Sequence, residues 1–102
     1  MKEAEIRKRA IEKLKKEKWI LWYPAKIRFK QNDIFGIFDL ICWKRRTGEI
    51  KFIQLTTKAN LSTREKKIKK FIKKNRLPKR KFLDIEIWGW SKKEKKFKII
   101  KI

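Results

Sequence analysis

The sequence predicts an α/β domain whose central mixed β-sheet is flanked by two helices, in the order α-β-β-β-α-β-β. Three observations lead there: apolar residues at helical spacing in two lysine-rich segments, five apolar segments typical of strands, and turn signals between them. A chain of 102 residues without a glycine/serine-rich linker is expected to form a single domain, 1–102, with one modest core. The same order also fits an α+β sandwich on one central sheet.

The first part of the chain predicts a helix and then a strand. Residues 2–18 carry four apolar side chains at helical spacing in a charged background, namely Ile6, Ala10, Ile11 and Leu14. The run WILWYPA, which begins at Trp19 and contains Pro24, is typical of a short strand. Residues 26–33 alternate apolar and basic side chains, which favours a strand extension or an exposed edge.

Two strands joined as a hairpin are predicted next. The segment 34–43 (IFGIFDLICW) is almost continuously apolar, as expected for a strand buried on both faces. The segment 49–58 (EIKFIQLTTK) follows after KRRTG, in which Thr47 and Gly48 favour a tight reversal.

A second helix and a last pair of strands complete the predicted fold. Ser62 and Glu65 form the SxxE pattern of a capping box, which indicates a helix start. One face of the helix carries Ile68, and Pro78 lies beyond its predicted end. Residues 82–90 and 96–102 are then predicted as strands joined by SKKEK.

The charge of the chain indicates a polyanionic partner. There are 33 Lys and Arg against 11 Asp and Glu, a formal net charge of +22, and such a surface is typical of proteins that bind DNA or RNA. The alternative is a solubilising or thermophile surface, but thermophile surfaces usually balance lysine with glutamate. The 16 isoleucines and the absence of valine suggest an AT-rich genome, such as that of a thermophile or an archaeal virus.

Several kinds of chemistry are excluded by composition. Without histidine the chain cannot use a histidine base, a Ser-His-Asp triad or a histidine-bound zinc ion. Its single cysteine excludes a disulfide framework and fits a reducing, cytoplasmic location. No segment is apolar over the roughly 18 residues that span a bilayer, and we expect no secretion signal and no membrane partner.

Polar residues inside the predicted hairpin are the candidate site. Asp39, one of three aspartates, interrupts an apolar run, and Gln54 and Thr56 interrupt the next one. Residues two apart share one face of a strand, so Gln54, Thr56 and Lys58 lie on one face. A turn at Thr47-Gly48 places Asp39 opposite Gln54 or Thr56, and we expect the four side chains to converge.

With these residues in view, the chain resembles the PD-(D/E)xK nuclease-like superfamily, which includes archaeal Holliday-junction resolvases and Mrr-type restriction nucleases. The resemblance implies a restriction-endonuclease-like core and a metal-dependent DNA endonuclease or resolvase. In that pattern an Asp on one strand and a D/E-x-K on the next hold a divalent metal and orient a water. Asp39 matches the Asp, while Gln54 and Thr56 stand at the positions of the acid and the lysine.

The motif departs from the family pattern at two positions. Gln54 offers a neutral oxygen, as in Mrr-like members, so that Asp39 and Gln54 are the expected ligands of Mg²⁺ or Mn²⁺. Thr56 carries no charge, and Lys58 is the residue that reaches back in its place. The alternative is a structural Asp39 in an inactive DNA-binding or genome-packaging protein that keeps the fold.

The other carboxylates that could be ligands have simpler interpretations. Asp33 more simply ends a loop, and Glu3 more simply favours the start of a helix through the helix dipole. Asp84 and Glu86 share a strand face that we expect to be a wet sheet surface.

Phosphate contacts are expected from basic residues of the second helix and the hairpin turn, which would read no sequence. These residues are Arg45, Arg46, Lys66, Lys67, Lys69, Lys70, Lys73 and Lys74. Trp88 and Trp90 are expected either to stack on bases or pack a dimer, or to close the edge of the core. A homodimer is predicted on the last strands, through the WGW segment and Ile85, Ile87, Ile99, Ile100 and Ile102.

Overall fold

The computed structural model describes residues 3–24, 26–27, 30–31, 33–35, 37–76 and 83–102. It has the predicted α/β architecture and element order. The bounds are α1 Glu3–Lys16, β1 Ile20–Trp22, β2 Lys26–Ile27, β3 Lys30–Gln31, β4 Leu40–Trp43, β5 Ile50–Thr57, a 3₁₀ turn Lys58–Asn60, α2 Leu61–Asn75, β6 Leu83–Ser91 and β7 Lys96–Lys101.

Five of the strands form one mixed sheet in the spatial order β1-β4-β5-β6-β7. All neighbours pair antiparallel except β5 and β6, which run parallel over eight residue pairs from Ile50↔Leu83 to Thr57↔Trp90. Parallel strands need a crossover connection, and α2 supplies it between β5 and β6. The short strands β2 and β3 pair only with each other.

The two helices lie on opposite faces of this sheet, so the α/β prediction is confirmed. On one face α1 packs its apolar stripe against Leu40, Ile53 and Leu55. On the other face Ile68 of α2 packs among side chains that include Ile87. Successive residues of a strand point to opposite faces, and therefore β5 contributes alternately to the two cores.

The first helix ends through a left-handed residue. Lys18 has φ 66°, and the Trp19 N–H donates to the Leu14 carbonyl across 2.9 Å. This bond has the pattern of a Schellman end, in which glycine is the usual left-handed residue. It directs Trp19 into the core on the α1 face.

The segment 34–43 corrects the prediction of one long strand. Among the residues of this segment that the structure describes, strand β4 covers Leu40–Trp43, while Ile34 and Phe38 form an isolated bridge around a turn in which Phe35 has φ 56°. Ile37 and Phe38 are buried because they pack into the core on the α2 face. An apolar run can fill a core from a turn as well as from a strand, and its periodicity does not separate the two.

The start of α2 also differs from the prediction. The helix begins at Leu61 with Asn60 as its N-cap, and no side-chain hydrogen bond caps it. Ser62 therefore lies inside the helix, and the capping box is not formed. Glu65 instead pairs with Lys69 one turn on, with 3.6 Å between Oε1 and Nζ. The 3₁₀ turn that precedes the helix takes the place of an extended N-cap segment.

The WGW segment is a core element. Trp88 and Trp90 are buried on the α1 face, and Phe97 of β7 packs beside both. Ile85 and Ile87 are buried as well, so the predicted dimer surface is wrong in most of its side chains. The homodimer stays a prediction, but these buried side chains cannot form its interface.

Two predictions fall partly or wholly outside the described residues. Residues 26–33 contain the β2–β3 pair, but residues 28, 29 and 32 are not described. The predicted helix stop at Pro78 lies among residues 77–82, which are not described either. Among the described residues no helix is long and apolar enough to cross a membrane.

At Gly89 the side chain of Leu61, the first residue of α2, lies directly against the backbone of the sheet. A Cβ added there would lie 2.6 Å from Cγ of Leu61, which is far inside ordinary contact. Gly89→Ala is therefore expected to lower the free energy of unfolding by about 1–3 kcal/mol through overpacking. Thermal unfolding would show this as a fall in Tm of roughly 4–8 °C per kcal/mol.

The matched background for that measurement is Leu61→Ala, which removes the atoms that the new Cβ would meet. In that background Gly89→Ala should cost little, since the two sites share one volume. Equal costs of Gly89→Ala in both backgrounds would show that the contact with Leu61 is not the reason for glycine.

Candidate functional site

Asp39 lies immediately before β4, where the ladder between β4 and β5 stops. In the register that pairs Leu40 with Ile53, the next hydrogen-bonded pair would be Phe38 and Leu55. Phe38 is engaged elsewhere, because its carbonyl accepts from the Ile34 N–H across 2.7 Å. The Leu55 N–H donates instead to Oδ2 of Asp39, 2.7 Å away. The carboxylate thus completes the ladder that the turn has interrupted.

A cation from α1 lies on the other carboxylate oxygen. Arg7 Nη2 is 3.3 Å from Asp39 Oδ1, and both side chains are largely buried. Nε of Arg7 is buried and has no hydrogen-bond partner. Buried acids are stable when they are paired and hydrogen-bonded, so these two contacts give Asp39 a structural role.

Gln54 and Thr56 are both buried and lie on the α2 face of β5. They alternate with Ile53 and Leu55, whose side chains pack on the α1 face. Oε1 of Gln54 has no hydrogen-bond partner although the residue is only 5% exposed. A buried amide oxygen without a partner is costly, and it is therefore a candidate ligand atom.

Lys58 is paired away from these residues. Its Nζ lies 3.4 Å from Oε1 of Glu94, in the turn between β6 and β7, and both side chains are about half exposed. The hydrogen bond from Lys58 and the nearby positive charges of Lys58 and Lys96 lower the pKa of Glu94 below its usual value. Because both side chains are solvated, this pair has little effect on stability.

The structure therefore brings part of the predicted site together. The β4–β5 ladder ends at Leu40↔Ile53, and its register continued by one residue would set Asp39 opposite Gln54, one of the two partners predicted for it. The Asp39 carboxylate contacts Arg7 on the α1 side, whereas Gln54 and Thr56 project to the α2 side. The four side chains therefore do not converge on one face of the sheet, contrary to what the sequence had predicted.

The remaining carboxylates do not complete a cluster. Within the described ranges no three acidic or cysteine side chains come together to hold a metal ion. Asp33 is exposed, as expected for a loop residue, and the side chain of Glu3 is not described. Asp84 is half-buried and pairs with Lys101, 3.1 Å away.

Glu86 corrects the prediction of a wet sheet surface. It is buried and accepts a hydrogen bond from Trp88 Nε1 across 2.9 Å. Its Oε2 lies 3.0 Å from Nζ of Lys51, and this ammonium also lies 4.8 Å from the ring centre of Trp19. The sequence signal for this cluster was the spacing of Glu86 and Trp88 by two, which puts them on one strand face.

Cys42 lies beside the same cluster, and its thiol is expected to be unreactive. Burial raises the pKa of its thiol to about 12, an effect that the nearby Lys51 charge only partly offsets. A thiol reacts as the thiolate, so this one is expected to stay inert at neutral pH.

All eight basic residues predicted to contact phosphate are exposed in the structure. The six lysines lie along α2, and Arg45 and Arg46 lie in the turn between β4 and β5. The helix contains a single acid, Glu65, and it is paired with Lys69. The outer surface of α2 is therefore strongly positive.

Comparison with known proteins adds no further assignment: no family model, no curated protein and no solved structure matches this chain.

The contacts of Asp39 predict how its replacement affects stability. Asp39→Ala leaves Arg7 without its anion and Leu55 without an acceptor, and we expect a loss of about 3–5 kcal/mol in the free energy of unfolding. Asp39→Asn keeps an acceptor for Leu55 and should cost about half as much, since neutral hydrogen bonds are weaker. Urea unfolding followed by circular dichroism measures both.

Asp84→Ala and Asp84→Asn are the matched controls, because Asp84 pairs with a solvated lysine and should contribute below about 1 kcal/mol. Equal losses at positions 39 and 84 would contradict the structural role of Asp39.

Proposed function

We propose that this protein binds DNA and belongs to the PD-(D/E)xK nuclease-like class. The observation that carries the proposal is the exposed array of lysines on α2 with one acid among them. Lysine and arginine at these positions bind phosphates as point charges and supply affinity without sequence preference. A net charge of +22 adds long-range attraction to any polyanion.

Binding through phosphates has a measurable signature. Engagement of about six phosphates releases condensed counterions and gives a log–log slope of affinity against salt near −5 on duplex DNA. Fluorescence anisotropy over a range of salt concentrations measures the slope. Replacing Lys70 and Lys74 by Gln should reduce its magnitude by roughly one to two.

Lys98→Gln on β7 is the control variant, because it removes one exposed charge outside α2. If wild type and the α2 variant share a slope near zero, the proposed electrostatic contact is wrong.

Within the same proposal, cleavage of DNA as a metal-dependent endonuclease or resolvase is the favoured activity. The specific observation in its favour is the buried Oε1 of Gln54, which has no hydrogen-bond partner and lies one residue from Leu55, whose N–H donates to the Asp39 carboxylate. A carboxylate and an amide oxygen are ligands of the type that Mg²⁺ and Mn²⁺ prefer, with waters and substrate phosphate completing the shell. When bound, the metal would polarise the phosphate and activate a water.

The protein's own residues have distinct parts in this proposal. Asp39 supplies the negative charge, and Gln54 supplies an oxygen that has no hydrogen bond to give up. Arg7 has no counterpart in the proposed metal site. Its guanidinium pairs with the Asp39 carboxylate and would have to move aside for a divalent cation. Lys58 would have to leave Glu94 to reach the site. Thr56, buried beside Gln54 on the same face, brings a hydroxyl and no charge.

Metal binding and cleavage are tested together with three single variants. Asp39→Asn should weaken Mn²⁺ binding by isothermal titration more than Gln54→Ala, since only Asp39 carries charge. Both should abolish Mg²⁺- or Mn²⁺-dependent cleavage of branched and duplex DNA while leaving DNA affinity within about twofold. Asp84→Asn should leave Mn²⁺ affinity and cleavage at the wild-type level.

Equal Mn²⁺ affinity for wild type and Asp39→Asn would remove the metal site. With DNA binding intact, that result leaves a non-catalytic DNA-binding or packaging protein with the same fold.

A further inference from the structure

Half of the α2 face of the sheet is open and apolar. Two cross-strand rows cross β1, β4 and β5 there, and the register pairs their members side by side. The rows are Ile20–Trp43–Ile50 and Trp22–Ile41–Phe52. Trp22 is 59% exposed and Trp43 is 46% exposed, which is unusual for the largest apolar side chain.

The exposure follows from where α2 lies. The helix packs over β5 and β6, so that Ile85, next to Phe52 in the same row, is 7% exposed. Phe52 is at the border, where the rings of Phe38 and Phe35 lie 5.2 and 6.1 Å from it. From that border towards β1, the exposed side chains are Ile20, Trp22, Trp43 and Ile50, and we call the area formed by the two rows the open sheet face.

Positive charge lies at one end of the open sheet face. The turn between β4 and β5 contains Arg45 and Arg46, both exposed, two and three residues after Trp43. The crossover helix α2 must run antiparallel to β5, which brings its last turn back to the end of the sheet where Ile50 begins β5. That last turn carries Lys73 and Lys74.

We infer that the open sheet face is a stacking platform for unpaired bases of single-stranded DNA or of the unpaired parts of branched DNA. Exposed aromatic rings stack on bases of any sequence, while neighbouring cations hold the backbone. This inference rests on the proposed DNA binding and moves base contact from the buried Trp88 and Trp90 to Trp22 and Trp43.

The charge of the chain decides between this occupant and a second copy of the protein. A contiguous exposed apolar area marks an interaction site of some kind. A second copy would bring another +22 charge against the arginines and lysines at one end of the face, which opposes pairing. An oligonucleotide matches both features, since its bases meet the apolar area and its phosphates meet the cations.

The test compares two oligonucleotides of about 12 nucleotides with equal numbers of phosphates, one of thymidines and one of abasic sites. The wild type should bind the thymidine strand at least about fivefold more tightly, with quenching of tryptophan fluorescence. Trp22→Leu and Trp43→Leu keep an apolar side chain but remove the ring. Each should lower affinity for the thymidine strand at least about fivefold and leave affinity for the abasic strand unchanged.

Ile99→Ala is the matched control, because Ile99 is 42% exposed on β7 at the far edge of the sheet. It should change neither affinity. Equal affinity of the wild type for both strands overturns the platform while leaving phosphate binding intact, and no binding to either strand overturns the proposed DNA binding as well. Dimers by light scattering that Trp22→Leu converts to monomers, with unchanged binding of thymidines, assign the face to a second copy instead.

Discussion

The alternation of side chains along β5 is the constraint on which the rest of the molecule depends. This strand has helices on both of its faces, and it pairs antiparallel with β4 on one side and parallel with β6 on the other. Ile53 and Leu55 are committed to the α1 core, and so Gln54 and Thr56 must project towards α2. The candidate site uses the positions of β5 that this alternation does not assign to the α1 core. Its polar groups lie at the end of the hairpin, where Asp39 replaces a missing ladder partner with its carboxylate.

Acidic side chains are used sparingly and mostly for structure. At least six of the 11 form ion pairs among the described residues. Asp39 and Glu86 do so inside the protein, where Asp39 also accepts a hydrogen bond from the Leu55 N–H and Glu86 one from Trp88 Nε1. Two of the acids therefore neutralise cations in the interior, and the large cationic excess remains at the surface. With its interior cations neutralised in this way, the chain can fold and still expose the basic residues of α2 and of the β4–β5 turn.

The order of elements and the hairpin register could be predicted because they depend on local signals: period-two and helical spacing, and a Thr47-Gly48 turn whose Gly48 has φ 76°. The errors arose where distant packing decides. Ile37 and Phe38 look like strand residues but fill a core from a turn. Burial of Glu86 depends on Lys51 from another strand. The exposure of Trp22 and Trp43 depends on how far α2 extends sideways across the sheet, which no local pattern records.

At three element ends a basic residue occupies a left-handed backbone position that glycine would adopt without strain. Lys18 and Arg76, which follow α1 and α2, and Lys95 before β7 have φ of 66°, 51° and 53°, where glycine has no steric penalty. Each costs about 1 kcal/mol or more in conformational energy. At the two helix ends the cation recovers part of this cost against the negative end of the helix dipole. Basic residues at these three positions therefore lower the stability of the fold and raise the density of positive charge on its surface.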